Sequence, residues 1–297
     1  AKEWLLKEIE IEQELVNETG TIDARNHLAN SYHNMVKLAN SEGNLTEAKE
    51  WLLKEIEIEQ ELVNETGTNE SKSILEQSYD NLWSLAYSEG NISEAKEWLL
   101  KSIAIRQNLA DETGSIISRI DLAQSYINFG YLAYIEGNQS MAKRWYLDAL
   151  EIRLKLVDET GTVEARNNLA NSYNRLGYLA TKTNKYAEAR DWVLKEIEIE
   201  QNLVEETKSI DAKINLAQSY NFLCDLAYTE GNISEAKGWL LKKIKIEQNL
   251  ADETGTVESR NNLAGSYNNM KVLAYTEGNI LEAKEWLFKA LEIQQNL

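Results

Sequence analysis

Apolar residues recur along this chain at spacings of three and four, with polar residues between them. Between positions 163 and 182, Leu169, Tyr173, Leu176, Gly177 and Ala180 share one stripe, as on the buried face of a helix. Between 44 and 66, Ala48, Trp51, Leu52, Ile56, Leu62 and Val63 do the same. Glu55-Ile56-Glu57-Ile58-Glu59 alternates like a strand, but it is a short stretch inside a long helical pattern without breakers, and helix prevails.

The pattern is periodic. Ala-Lys-Glu-Trp-Leu-Leu begins at Ala1, Ala48 and Ala95, and variants begin at Ala142, Ala189, Ala236 and Ala283, each 47 residues after the last. Gly-Thr or Gly-Ser turns keep the same period at Gly20, Gly67, Gly114, Gly161 and Gly255, and a second glycine series falls at Gly43, Gly90, Gly137, Gly231 and Gly278. Two turns per unit leave two segments of about 20 residues, each about 30 Å long if helical. The unit is therefore an antiparallel helical hairpin, and the sequence predicts an all-α array of about 13 helices over 1–297. The turns agree: Asn44, Asn91, Asn232 and Asn279 each precede a glutamate by three residues (Glu47, Glu94, Glu235, Glu282), which predicts a capping box in which both side chains satisfy free amides at the helix start. Asn184 replaces glycine in one turn and Lys208 in another, so the turn after Thr207 is the least orthodox.

Composition narrows the function classes. Against 49 Asp+Glu stand 31 Lys+Arg, a net charge of −18, so a polyphosphate backbone would be repelled, and no basic cluster offsets this; no nucleic-acid partner is expected. Cys224 has no partner for an intrachain disulfide, and His27 and His33 are the only histidines, which disfavours Cys/His metal sites. No apolar run approaches the roughly 20 residues that span a bilayer, so the chain reads as soluble, with a cytoplasmic setting expected and an extracellular one if it forms fibres. Proline is absent, where average usage of about 5% would give roughly 15, so helices can run long.

Residues 217–246 carry a resemblance to the tetratricopeptide repeat family, which then extends over the whole chain. Tyr220, Leu223, Cys224 and Ala227 match the first helix of that repeat, and Gly231, Ala236 and Leu240 match its turn glycine, crossing alanine and large apolar position. The family's terminal proline is missing. Its later alanine is kept as Ala149 and Ala290 but becomes Glu55, Ser102, Glu196 and Lys243, and the unit is 47 rather than about 34 residues, closer to long-repeat variants resembling kinesin light chain. The resemblance implies a right-handed superhelical solenoid whose ligands lie in a groove along the first helices. It implies no cofactor.

On the groove face, steps of three and four residues select Asn30 and Asn34, then Gln77 and Asn81, Gln124, Asn128 and Tyr131, Asn171, Arg175 and Tyr178, Gln218, and Asn269. Side-chain amides both donate and accept, so a ladder of them can hold the backbone of an extended peptide. Tyr87, Tyr134, Tyr228 and Tyr275 add aromatic anchors at the far end of the same helices. The same residues also read as a solvated face copied with the repeat. Tryptophans at one phase of the second helix, Trp4 through Trp286, read as wedges between stacked repeats, and Cys224 as a packed small residue. Runs such as Glu196-Ile197-Glu198-Ile199-Glu200 read as a solvated outer face, and glycan-acceptor tripeptides such as those at Asn44, Asn91 and Asn232 as helix caps.

No phosphate loop, zinc-binding His-Glu pair or nucleophile elbow occurs, and carboxylate pairs recur in every repeat, so no catalytic site is expected. Starting at Ala1 and stopping at Leu297 without a visible polar cap, the sequence suggests an excerpt of a longer array or units that stack end to end. The expectation is a scaffold for a peptide or protein partner, with self-assembly into a fibre or tube as the alternative and a regulatory domain of a larger enzyme third.

Overall fold

The computed structural model describes residues 2–295; Ala1, where the first repeat begins, and Leu297 lie outside the described residues. Within them the chain forms thirteen helices: α1 (Lys2–Thr19), α2 (Ile22–Ser41), α3 (Leu45–Thr66), α4 (Asn69–Ser88), α5 (Ile92–Thr113), α6 (Ile116–Ile135), α7 (Gln139–Thr160), α8 (Val163–Lys182), α9 (Tyr186–Thr207), α10 (Ile210–Thr229), α11 (Ile233–Thr254), α12 (Val257–Thr276) and α13 (Ile280–Gln295). Even-numbered helices are the first helix of each hairpin and odd-numbered ones the second. The architecture is an all-α helical repeat solenoid, in two compact units, residues 1–152 and 153–297.

Within each unit a hairpin buries its stripe against the hairpins beside it. Ala48, Leu52 and Ile56 of α3 pack with Val36 and Ala39 of α2 and with Leu75, Tyr79 and Leu82 of α4. In the second unit Ala189, Val193 and Ile197 of α9 pack with Leu216, Tyr220 and Leu223 of α10. The sequence reads the whole series as wedges; Trp51 and Trp239 are, whereas Trp4 on α1 is 77% exposed. Trp51 packs against both the Ile9–Leu28–Tyr32–Met35 cluster and the Ala48–Leu52–Tyr79 cluster, and Trp239 likewise joins two successive clusters.

Each wedge is held on two sides. The Tyr79 ring stacks on Trp98 with centroids 5.7 Å apart, and Lys101 lies over the other ring at 4.0 Å. The Tyr79 hydroxyl donates to Gln60 Oε1 on the preceding second helix at 3.0 Å. The same set recurs as Tyr220, Trp239, Lys242 and Gln201, where Gln201 Nε2 donates to the Tyr220 hydroxyl at 2.8 Å.

The caps hold with one correction. Asn44 Oδ1 accepts from Glu47 N as expected. The Glu47 carboxylate does not reach back to the Asn44 backbone amide, because that amide already donates to Ala39 O at 2.9 Å and closes the preceding helix. The carboxylate instead accepts from Asn44 Nδ2 at 3.0 Å and Trp51 Nε1 at 3.3 Å, and pairs with Lys2 of the previous repeat at 2.6 Å. Glu94 is used in the same way by Asn91, Trp98 and Lys49. Exposed pairs of this kind contribute little energy each, about 0–1 kcal/mol, but they fix the register between hairpins. Asn91 and Asn232 also spend their side chains on caps.

A second correction concerns the glutamate runs. Glu198 is exposed, but Glu196 and Glu200, one helical turn apart, are buried, as are Glu55 and Glu59. The run is helical, and a helix puts every fourth residue on one face, so two of three glutamates turn inward. Burial pushes the Glu196 carboxyl up to about 8, with the charge of Glu200 adding to it, and Glu200 up to about 7.

Two measurements check these readings. Lys208 closes α9 in the left-handed conformation at φ 53°, which costs a residue with a side chain on the order of 1 kcal/mol. Lys208→Gly is expected to raise the thermal midpoint by a few degrees without changing helical content. The pKa of Glu196 is raised on folding, so its contribution is fully present below the unfolded value near 4.5 and is lost as pH rises through about 8. Glu196→Gln is therefore expected to add on the order of 1–3 kcal/mol of stability at pH above 8 and to change little at pH 4–5, read by thermal denaturation across pH.

Candidate functional site

Successive first helices do not meet edge to edge. Between α2 and α4 lies an open cleft of about 620 Å³, with α3 beneath it. Its rim carries the amides Asn30, Gln77 and Asn81, and its floor is Glu55, Glu59 and Leu62. A second cleft of about 420 Å³ continues along the same helices past Lys37, Asn40, Asn81, Ser84 and Ser88. In the second unit the equivalent cleft, of about 490 Å³ between α10 and α12, has Gln218 and Asn221 above and Lys243, Glu247 and Leu250 below. These two floors occupy one phase of the repeat, since Glu55, Glu59 and Leu62 correspond to Lys243, Glu247 and Leu250.

The floor position differs in charge between repeats. On α3, Glu55 and Glu59 are 4% and 3% exposed, and the Oε2 atom of each has no hydrogen-bond partner. Burial pushes both carboxyls well above the usual range, and the neighbouring Glu59 charge raises Glu55 further. His33 Nδ1 lies 3.0 Å from Glu55 Oε1, but burial and the nearby Lys37 charge lower the histidine pKa, so it brings no cation at neutral pH.

Other repeats fill the same position differently, although the Oε2 atoms of Glu200 and Glu247 also have no hydrogen-bond partner. On α5, Ser102 and Arg106 take the two places, and the Arg106 guanidinium pairs with Glu76 at 2.5 Å, with Asp80, and with the Ser125 hydroxyl. On α11, Lys243 Nζ donates to Asn221 Oδ1 at 2.9 Å and lies 3.7 Å from Glu247. Arg153 on α7 donates to Asn168 O at 2.8 Å and to Ser172 Oγ at 2.9 Å, and its burial, with the charge of Arg175, lowers its pKa to about 10. On α9, Asn174 Nδ2 donates to Glu196 Oε1 at 3.0 Å.

The residues selected from the sequence separate into groups. Asn30, Gln77 and Asn81 converge on one cleft, and Gln218 lines its counterpart. Asn34 and Asn269 are exposed and line none of the three clefts described above. Gln124 and Asn128 turn toward each other, Nε2 donating to Oδ1 at 3.0 Å, and Asn171 accepts from Arg153 at 3.4 Å. Arg175 is half-buried, and Tyr178 is exposed with Lys182 over its ring at 5.1 Å. Tyr87 and Tyr131 meet, hydroxyl to hydroxyl at 3.5 Å, and Trp83 extends that aromatic patch. Tyr228 and Tyr275 are exposed, whereas Tyr134 is half-buried. Cys224 is buried and its thiol is pushed up to about 11, which suits a packing role.

The buried glutamates are what the sequence reading missed as site residues. The signal was present, because Glu55, Glu196 and Lys243 stand where a small alanine sits in other repeats, with a second charged residue one turn further on. Among the described residues, no group of three or more His, Cys, Asp or Glu could hold a metal ion, and no helix is long and apolar enough to cross a membrane.

Residues 123–155 and 170–203 match the tetratricopeptide repeat family. No curated protein matches the chain. Among solved structures it is similar to BtubC (BKLC) from P. vanneervenii, at 19% identity over 85% of this chain and 91% of that one, with a TM-score of 0.60. It is also similar to a signal transduction ATPase with numerous domains that has a tetratricopeptide repeat sensor, from Pyrococcus horikoshii, at 17% identity and TM-score 0.59; the match covers 99% of this chain but 42% of that protein. A third is Nro1, a hypoxic regulator of sterol synthesis and nuclear import adaptor, at 13% identity over 99% of this chain and 93% of that one, with a TM-score of 0.53. At these identities the likeness is one of fold. The family match covers two stretches, and the 47-residue period that carries them continues on both sides, so the chain contains tetratricopeptide repeats.

Proposed function

We propose that this chain is a non-catalytic scaffold that holds an extended segment of a peptide or protein partner along its first helices. The observation that carries this reading is the convergence of Asn30, Gln77 and Asn81 on one open cleft between α2 and α4. Their amides offer both donors and acceptors to a peptide backbone, and Asn81 also lines the continuing cleft, so a segment can run from one to the other. The exposed Tyr87 and Tyr131 in the same unit supply aromatic surface for an anchoring side chain. The excess of acidic residues argues against a nucleic-acid partner.

For the groove, Asn30→Ala with Asn81→Ala is expected to weaken a peptide selected by display on this protein by about tenfold, the loss of one or two net hydrogen bonds, with helical content unchanged. Fluorescence polarisation reads the affinity, and unaltered binding would sink the amide-ladder reading.

A further inference from the structure

Eight carboxylates or cations occupy the cleft-floor phase of the interior repeats in different combinations, and the cations among them are matched by partners within the chain. Arg106 meets Glu76 and Asp80, Lys243 stands beside Glu247, and Arg153 is held by Ser172 and a backbone carbonyl. Glu55 and Glu59 are both carboxylates, buried one turn apart on one face of α3 at the base of an open cleft, with Ser78 and each other as hydrogen-bonding neighbours and no lysine or arginine within ion-pairing distance among the described residues. The Oε2 atom of each has no hydrogen-bond partner, as is also true of Glu200 and Glu247, and an unsatisfied buried acceptor costs about 1–3 kcal/mol.

We infer that the cleft between α2 and α4 is a side-chain pocket of the scaffold, and that its occupant is an arginine of the bound partner whose guanidinium is received by Glu55 and Glu59.

The inference rests on the groove reading and adds the chemistry of one subsite to it. Three observations converge. The cleft, of about 620 Å³, has room for a long side chain and closes on these two carboxylates. Its rim is the amide set Asn30, Gln77 and Asn81, which would hold the backbone of the segment that delivers the side chain. The chain also fills the same phase of the next repeat with a guanidinium of its own, where Arg106 bridges Glu76, Asp80 and Ser125. A planar guanidinium with several N–H groups can serve two carboxylates at once, which an ammonium does less well. The overall charge of −18 favours the approach of a basic segment.

Entry of a fixed positive charge has a chemical consequence that can be read directly. The groups facing the pair are His33 and Lys37 on α2 and Glu70 and Ser78 on α4; burial, with the Glu59 charge acting on Glu55, leaves both carboxyls inclined to hold a proton near neutrality although Lys37 and Ser78 oppose it. A guanidinium bound between them favours the ionised forms, so the bound state carries fewer protons than the free one.

The test uses the full chain and small probes: N-acetyl-arginine methylamide, its neutral isostere N-acetyl-citrulline methylamide, and N-acetyl-lysine methylamide. Carboxyl carbon resonances of Glu55 and Glu59, assigned through Glu55→Gln and Glu59→Gln, are followed at millimolar probe, and proton release is followed by calorimetry in buffers of different ionisation enthalpy. The arginine probe is expected to move both resonances toward their ionised positions and release protons, with citrulline bound about tenfold more weakly or not at all. Glu59→Gln should remove the response while circular dichroism stays unchanged. Equal effects of citrulline, equal effects of lysine, or no movement of either resonance would each overturn the arginine assignment, as would the absence of proton release in calorimetry, which uses the unaltered protein and does not depend on a variant folding. The parent reading is tested separately: display-selected peptides that bind through Asn81 but show no basic residue would leave the groove standing and reject the arginine pocket. An arginine response without any peptide binding would keep the pocket and reject the groove.

Discussion

The structure depends on the fact that one hairpin cannot cover its own apolar stripe. Each second helix presents a large tryptophan outward from its own hairpin, and the stable place for that ring is between neighbouring repeats. Trp51 and Trp239 show this by belonging to two clusters at once. The ring fixes the spacing, and the tyrosine stacked on it fixes the rotation, because the hydroxyl of Tyr79 must also reach Gln60 of the hairpin before. The charged groups at the hairpin ends follow from this placement. With Trp51 in position, its indole nitrogen needs an acceptor; Glu47 supplies it, and the remaining capacity of that carboxylate takes Asn44 and Lys2.

Such stacking leaves one phase of the second helix facing the gap between first helices rather than a packed neighbour. That phase is free to vary, and a single feature of the adjoining helix explains how it tolerates either sign of charge. A buried serine stands opposite it in each interior repeat, Ser78, Ser125, Ser172 and Ser219 among them. A hydroxyl both donates and accepts. Ser125 and Ser172 accept from Arg106 and Arg153, whereas Ser78 and Ser219 favour the ionised forms of Glu59 and Glu200. An invariant partner of this kind lets the floor change from carboxylate to guanidinium without altering the helices that frame it.

Much of the fold was legible in the sequence because it follows from periodicity and turn chemistry. Helices at the 47-residue interval, the Asn44 and Asn91 caps and the wedge tryptophans all repeat, and a repeated pattern averages out local ambiguity. Less of the site could be read. The amides were found from their helical face, but a face says nothing about who turns toward whom. Gln124 and Asn128 bond to each other and Asn171 meets Arg153, while Asn30, Gln77 and Asn81 remain turned to one cleft. The glutamate runs misled for a similar reason. Hydropathy marks Glu196 and Glu200 as solvent-facing, and only the phase of the helix relative to the apolar stripe reveals that they point inward.

Near-identical repeats also sharpen what a difference between them means. Residues that recur at every phase-matched position, such as the crossing alanines Ala48, Ala95, Ala189 and Ala236, all fully buried, are accounted for by packing of the helices themselves. Once that copied background is removed, what remains is a small set of positions where neighbouring repeats disagree in charge while their backbones agree. Packing does not require that disagreement, since Ala149 fills the same place as Glu55 and Glu196 while fully buried. Burying a carboxylate where an alanine fits makes the folded state less stable at neutral pH, so the glutamates impose a cost that the fold does not need. At Glu55 and Glu59, whose Oε2 atoms have no hydrogen-bond partner, that cost falls at the base of an open cleft, where binding rather than folding can relieve it.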